Sequence, residues 1–223
     1  MREVILDTET TGLDPAAGHR IVEIGCLELI NHVPTGRVYQ QYVNPEREMP
    51  ARAEEVHGLT SDFLSDKPTF RDIADDFLEF IGSASVIAHN AAFDLGFINA
   101  ELAQINSPAI PENRMVDTVA IARRRFPGSQ ASLDALCRRF NVDNSARTKH
   151  GALLDAELLA EVYLELVGGR EPGLALAEQE DGASAAGEPE KEVRVPRPHL
   201  PTANEEEEHK VLVDRLTGAL WKL

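Results

Sequence analysis

Val4-Ile5-Leu6-Asp7-Thr8-Glu9-Thr10-Thr11-Gly12 is the stretch whose reading decides the fold. A short apolar, β-branched run leads into two acids and then a turn, which reads as a core strand ending at a polar edge. Residues two apart on a strand share a face, so Asp7 and Glu9 present two carboxylates side by side. Like charges that close are costly unless a cation lies between them. A hard, oxygen-preferring divalent ion suits such a pair. The plainer reading is two solvated acids at a strand tip, and Thr10-Thr11-Gly12 supplies a turn whose amides can meet a ligand.

Working outward, Ile21 to Ile30 and Val38 to Val43 read as further strands, with turn chemistry from Asp14-Pro15 and Pro34-Thr35-Gly36. From Thr69 the period changes. Phe70, Ile73, Ala74, Phe77, Leu78 and Ile81 mark an amphipathic helix, with Thr69…Asp72 as a capping box. Ser85 to Ala88 is a short buried strand and Phe93 to Ile105 is helical. A brief strand at Met115-Val116 precedes helices near Thr118–Phe126, Ser132–Phe140 and Ala152–Val167. Three strands followed by alternating helices and strands imply an α/β domain with a mixed sheet flanked by helices.

The pattern ends near Gly168-Gly169, so residues 1–170 are read as one domain. Residues 171–204 are rich in Glu, Pro, Ala and Gly and read as a flexible linker. Residues 205–223 regain an apolar stripe at Leu212, Leu216, Leu220 and Leu223, with Glu205 to Glu208 leading and Lys222 trailing, as a helix dipole favours.

Two cysteines, Cys26 and Cys137, each among apolar residues, read as buried free thiols. With no signal-peptide pattern and no long apolar run, the expected compartment is the cytoplasm. A net charge of −16 argues against nucleic acid at first sight. Residues 114–149, however, carry eight basic side chains and three acids, either a set of solvated helix faces or a DNA-facing patch.

Two more clusters carry chemistry. In Val86-Ile87-Ala88-His89-Asn90-Ala91-Ala92-Phe93-Asp94, a strand ends in a polar turn and Asp94 opens a helix. Asp94 there either answers the helix dipole or joins a ligand site at the strand's carboxyl end. In Lys149-His150-Gly151-Ala152-Leu153-Leu154-Asp155, Asp155 lies one turn inside a helix. His150 sits just before it, where Gly151 frees the loop, and histidine is suited to taking a proton from water near neutral pH.

Asp-x-Glu, His-Asn-Ala-x-Phe-Asp and His-x₄-Asp, in this order, resemble the DEDDh exonuclease family of the ribonuclease-H-like fold. Residues 132–140 and 150–163 are similar to epsilon proofreading subunits of bacterial DNA polymerase III. The resemblance implies that Asp7, Glu9, Asp94 and Asp155 hold two divalent ions, Mg²⁺ or Mn²⁺, and that His150 deprotonates the attacking water in 3′→5′ hydrolysis of a DNA end. Substrate contacts are expected at Asp7, Glu9, Thr10, Gly12, His57, Phe93 and Asp155. His57 lies in a Val56-His57-Gly58-Leu59 segment similar to one that follows the terminal nucleotide, or is a plain loop histidine. Phe93 either stacks on a base or fills the core. Relatives often carry glutamate where this chain has Arg52, so that polar contact is not expected here.

The same resemblance implies that residues 205–223 dock on the polymerase alpha subunit. It also implies a small third core subunit. The run Glu171-Pro172-Gly173-Leu174-Ala175-Leu176 departs from a Gln-x-x-Leu-x-Phe clamp-binding peptide, so sliding-clamp binding is expected to be weak. Two rivals stand beside this reading: a free-standing exonuclease acting on RNA or single-stranded DNA, and a catalytically idle adaptor.

Overall fold

The computed structural model describes residues 1–145, 147, 149–168 and 201–215. The chain divides into two units, Met1–Leu174 and Ala175–Leu223. In the first unit the strands are β1 (Arg2–Thr10), β2 (Ile21–Ile30), β3 (Val33–Tyr42), β4 (Ser85–Ala88) and β5 (Met115–Asp117), in the sheet order β3-β2-β1-β4-β5. β1, β2 and β3 pair antiparallel, whereas β4 runs parallel to both β1 and β5. The mixed sheet expected from the sequence is therefore present.

Apolar side chains on both faces of β1 explain its near-continuous burial. Val4 and Leu6 join Ile24 and Cys26 in one core, against α3 (Phe70–Ile81) and α4 (Ala91–Gln104). Ile5 joins Leu27, Leu29 and Ile87 on the other side, against α6 (Leu133–Phe140) and α7 (Ala152–Leu166). Both cysteines are free and buried, one in each core. The capping box of α3 is formed as expected, Thr69 and Asp72 satisfying each other's helix-start donors.

Some local expectations were wrong. The β2–β3 reversal is made by Asn31 and His32, at φ 51° and 67°, and not by Pro34-Thr35-Gly36, which lies inside β3. Two consecutive left-handed residues match the twist of a two-residue hairpin, and Asn and His tolerate that region. Pro34 is accommodated because β3 is an edge strand. Two short helices, α1 (Ala51–His57) and α2 (Ser61–Leu64), stand where no helix was expected. α4 starts at Ala91, two residues early, after Asn90 turns the chain at φ 70°. α5 (Thr118–Arg125) matches the expected helix closely.

Both ends of α7 are tied to the sheet. At its start the backbone lies against Gly25 of β2, so closely that a Cβ there would stand 2.3 Å from the Ala152 carbonyl carbon. Towards its end the Tyr163 hydroxyl donates to Glu3 of β1 at 2.8 Å.

In the second unit α8 (Ala203–Arg215) is the described element, capped by Thr202 and Glu205, whose side chains bond each other's backbone amides. Val211 and Leu212 on it are exposed. The proposed clamp-binding run 171–176, and Leu216, Leu220, Trp221 and Leu223, lie outside the described residues.

Phe77 is fully buried between the rings of Tyr39 and Phe70. Phe77→Ala is expected to lower the unfolding free energy by about 3–5 kcal/mol through lost contacts and a residual cavity. Urea unfolding followed by circular dichroism checks this, and a loss under about 1 kcal/mol contradicts the packing described.

Candidate active site

The site forms where β1 and β4 end side by side, their carboxyl ends opening on one cleft of about 820 Å³. Asp7, Glu9, Asp94, Asp155 and His150 all line that cleft, as do Thr10, Gly12, His57, Phe93 and Arg52. The three sequence clusters, separated by more than fifty residues each, thus converge.

Strand alternation brings Asp7 and Glu9 to one face, opposite Gly25 and Glu23 of β2. Asp94, in the first turn of α4, is 3% exposed and accepts a hydrogen bond from the Thr8 hydroxyl at 2.7 Å. That bond holds it against β1, on the cleft and beside Asp7, as well as at a helix start. Burial, with the nearby Asp94, Glu9 and Asp155, pushes the Asp7 carboxyl well above the usual range. Burial likewise lifts Glu9 to about 8 and raises Asp94. These are acids short of positive charge.

Asp155 is different. It is 3% exposed, yet its carboxyl is held below the usual range: burial works to raise it, but His150 and Arg147 outweigh burial. Arg147 grips both Asp155 oxygens at 2.6 Å through Nε and Nη2. It also donates to Asp134 at 2.7 Å and lies 2.8 Å from His150 Nδ1. The same Nδ1 is 3.3 Å from Asp155 Oδ2, and the hydrogen bond with Asp155 raises the imidazole's pKa.

Arg147 was missed as a site residue. Its signal was faint, a cation three positions before His150 within an already basic stretch. That stretch now divides: Arg114 bonds the Gly82 and Ala84 carbonyls, Arg125 those of Glu165 and Leu166, and Lys149 approaches those of Glu54 and Glu55. Arg123, Arg124 and Arg138 remain exposed. Arg139 bonds Ser129 and lies over the Phe126 ring, so five of the eight basic side chains, Arg147 included, are engaged within the fold.

The loop glycine needs a correction too. Gly151 has an extended φ of −153° that any residue adopts, so it does not free the His150 loop. What positions the loop is the His150 amide, bonded to the Val56 carbonyl at 3.2 Å. Gly12 is required for space, since a Cβ there would stand 2.3 Å from the His19 ring. The Thr11 amide is taken by the Arg20 carbonyl, which removes one of the turn amides expected to meet a ligand.

His57 is buried in the last turn of α1. Its Nδ1 accepts the Leu59 amide at 3.0 Å, so neutral His57 carries its proton on Nε2, beside the Thr10 backbone. Burial keeps its pKa below the ordinary histidine value. Phe93 packs 4.9 Å from the Phe97 ring, against the core, and also lines the cleft.

A family model described as Exonuclease (RNase_T) matches residues 4–163. The chain belongs to that family. DNA polymerase III subunit epsilon of Rickettsia prowazekii is 47% identical over 222 residues, 97% of each chain. The epsilon subunit of Rickettsia felis is 55% identical over 182 residues, 80% of each, and that of Escherichia coli 46% over 176, covering 76% of this chain and 72% of that one. Among solved structures, exonuclease X in complex with 5′ overhanging duplex DNA is 27% identical with a TM-score of 0.58, covering 74% of this chain and 90% of that one. The nuclease domain of 3′hExo, a DEDDh family member bound to rAMP, shares the fold at 21% identity and a TM-score of 0.65, covering 74% of this chain and 91% of that one.

Divalent-cation dependence goes with this family, and the residues present fit it. Asp7, partly buried, and Glu9 and Asp94, buried, are hard-oxygen donors gathered at one cleft, and burial above all raises their pKa values. Glu9, His150 and Asp155 also bring ligand atoms within 4.8 Å of one another, which makes His150 a candidate ligand as well as a base.

The Glu9 shift gives a pH test in chelator. An acid with a raised folded pKa contributes stability that is full below its unfolded pKa, about 4.3, and is lost as pH rises through the folded value. For Glu9 that value is about 8. Glu9→Gln removes the titration, so its melting temperature relative to wild type is expected to climb from about pH 5 to about pH 8. A difference that does not change with pH sinks this reading of Glu9.

Proposed function

We propose that the chain is a 3′→5′ exonuclease that proofreads DNA synthesis as the epsilon subunit of DNA polymerase III. The observation that carries this is the convergence of Asp7, Glu9, Asp94, Asp155 and His150 on one cleft. Similarity to epsilon subunits along 97% of the chain supports the biological setting.

Asp7, Glu9, Asp94 and Asp155 would hold two divalent ions, Mg²⁺ or Mn²⁺. Such a pair activates the attacking water and offsets charge on the departing 3′ oxygen. The protein's own part is to supply oxygens, orient the strand and move a proton. With Nδ1–H donating to Asp155, Nε2 of His150 would receive the proton of the water; the Arg147 guanidinium, itself only a donor, stands 2.8 Å from the same Nδ1 and competes with that tautomer. Asp155 thereby orients the imidazole and stabilises it once charged. His57, its Nε2 buried beside the Thr10 backbone, would support the wall of the cleft, and Phe93 would offer a ring face to the terminal base or sugar. The turn at Thr10 to Gly12 closes the cleft beneath them.

Residues 171–204 would be a flexible tether, and residues 205–223 the helix that docks on the polymerase alpha subunit. Exposed Val211 and Leu212 support an apolar docking face. Tethering raises the local concentration of nuclease beside the primer end. Weak sliding-clamp binding through 171–176 and a small third core subunit belong to the same proposal, as does a place in the cytoplasmic, nucleoid-associated replisome. No helix of the described residues is long and apolar enough to cross a membrane.

Two experiments test the reading. On primed DNA with Mg²⁺, His150→Ala is expected to lower turnover about 10²- to 10⁴-fold with the fold intact. Asp7→Ala and Asp155→Ala are expected to abolish hydrolysis, as is a chelator until Mg²⁺ or Mn²⁺ is restored. Near-normal turnover in a folded His150→Ala protein removes the base from the mechanism. Separately, ending the chain after Gly169 is expected to preserve hydrolysis of single-stranded DNA but abolish co-elution with alpha. Co-elution as tight as that of the intact chain favours a free-standing exonuclease instead.

A further inference from the structure

Glu23 stands beside the site, behind the cleft lining and outside the five residues of the motif set. It stands on β2 opposite Glu9, on the sheet face that carries Asp7 and Glu9. Cross-strand neighbours are about 5 Å apart at Cβ, so this is a fifth carboxylate in an already crowded group. It is 2% exposed and makes no salt bridge among the described residues. Its two oxygens are nonetheless satisfied. One accepts from Gln40 Nε2 at 2.8 Å on β3, and the other accepts the Ala152 amide at 3.1 Å.

Ala152 is the first residue of α7, between His150 in the loop and Asp155 in the first turn. Gly25, two residues along β2 from Glu23, is the point where the same helix start touches the sheet. A buried carboxylate is tolerated here because an orphan amide and the positive end of the helix meet it. We infer that Glu23 is a positioning residue: it clamps the first turn of α7 to β2, and so fixes Asp155 and His150 opposite Asp7 and Glu9. This deepens the proposed function and rests on Asp155 being a metal ligand there. The geometry demanded is strict, because a metal site tolerates only small errors in ligand placement. Outer partners that hold ligands typically matter about 10- to 100-fold in metal affinity or activity.

The far end of α7 stays anchored through Tyr163 and Glu3, so loss of Glu23 is expected to loosen the helix start without unfolding the domain. The test uses the full chain, Mn²⁺ alone as calorimetric probe, and kinetics on a single-stranded oligonucleotide. Glu23→Ala is expected to weaken Mn²⁺ binding and lower kcat about 10- to 100-fold, with KM nearly unchanged. Glu23→Gln keeps an acceptor oxygen for Ala152 and is expected to remain near wild type in both. If Glu23→Ala does not fold, Gln40→Leu, at an exposed position, removes the lateral support and is expected to shift both readouts in the same direction by less. A folded Glu23→Ala protein with wild-type Mn²⁺ affinity overturns the inference. So does a Glu23→Gln protein as impaired as Glu23→Ala, because charge and not the clamp would then matter. Wild-type protein that binds no Mn²⁺ instead overturns the underlying reading of the site, a distinguishable result.

Discussion

The arrangement of this protein turns on one electrostatic constraint: several carboxylates, most of them largely buried, stand together at one cleft. Burial raises the proton affinities of Asp7, Glu9 and Asp94, none of which forms an ion pair with a cation among the described residues. Asp155 has one, Arg147, and its proton affinity falls. Folding alone gives no reason to gather such groups, since burying unpaired charge costs stability. A site for positive ions, as proposed, does give one, and the acids gather at the carboxyl ends of β1 and β4, both almost wholly buried. The rigid parts of the fold hold together a group of acids that would otherwise separate.

The same constraint explains how the elements are joined. The start of α7 lies directly on the backbone of Gly25, and Glu23 receives its first amide. The His150 loop is bonded to α1 through Val56. α4 follows β4 through the left-handed turn at Asn90, and Asp94 is held by Thr8 of β1. The acids thus come from three elements, Asp7 and Glu9 from β1, Asp94 from α4 and Asp155 from α7, and both helices are tied back to β1 or β2. Arg147 sets a positive charge from the protein itself against Asp155 and Asp134.

Much of this was legible in the sequence, for a physical reason. β1, α3 and α7 bury apolar side chains at the period of their own geometry, so Val4 to Leu6 and Phe70 to Ile81 announce their structure locally. Asp7, Glu9, Asp94, His150 and Asp155 were legible because their spacing forms three ordered motifs. α1 and α2 were not, because they are short, mostly exposed and carry no apolar period. The hairpin turn was misplaced because Pro34 and Gly36 are stronger turn residues than Asn31 and His32, while strand twist chose the latter. Arg147 and Glu23 were hidden for another reason: each acquires its role only from a contact across the fold, and nothing near Glu23 in sequence points to Ala152, 129 residues away.

The central claim is that the buried acids form a site for a pair of divalent ions. The most direct measurement is a calorimetric titration of chelator-treated full-length protein with Mn²⁺, read for stoichiometry. The account predicts about two ions per chain in the presence of a bound mononucleotide, and loss of at least one in Asp7→Ala. No binding above background by the wild type, or unchanged stoichiometry and affinity in Asp7→Ala, would contradict it.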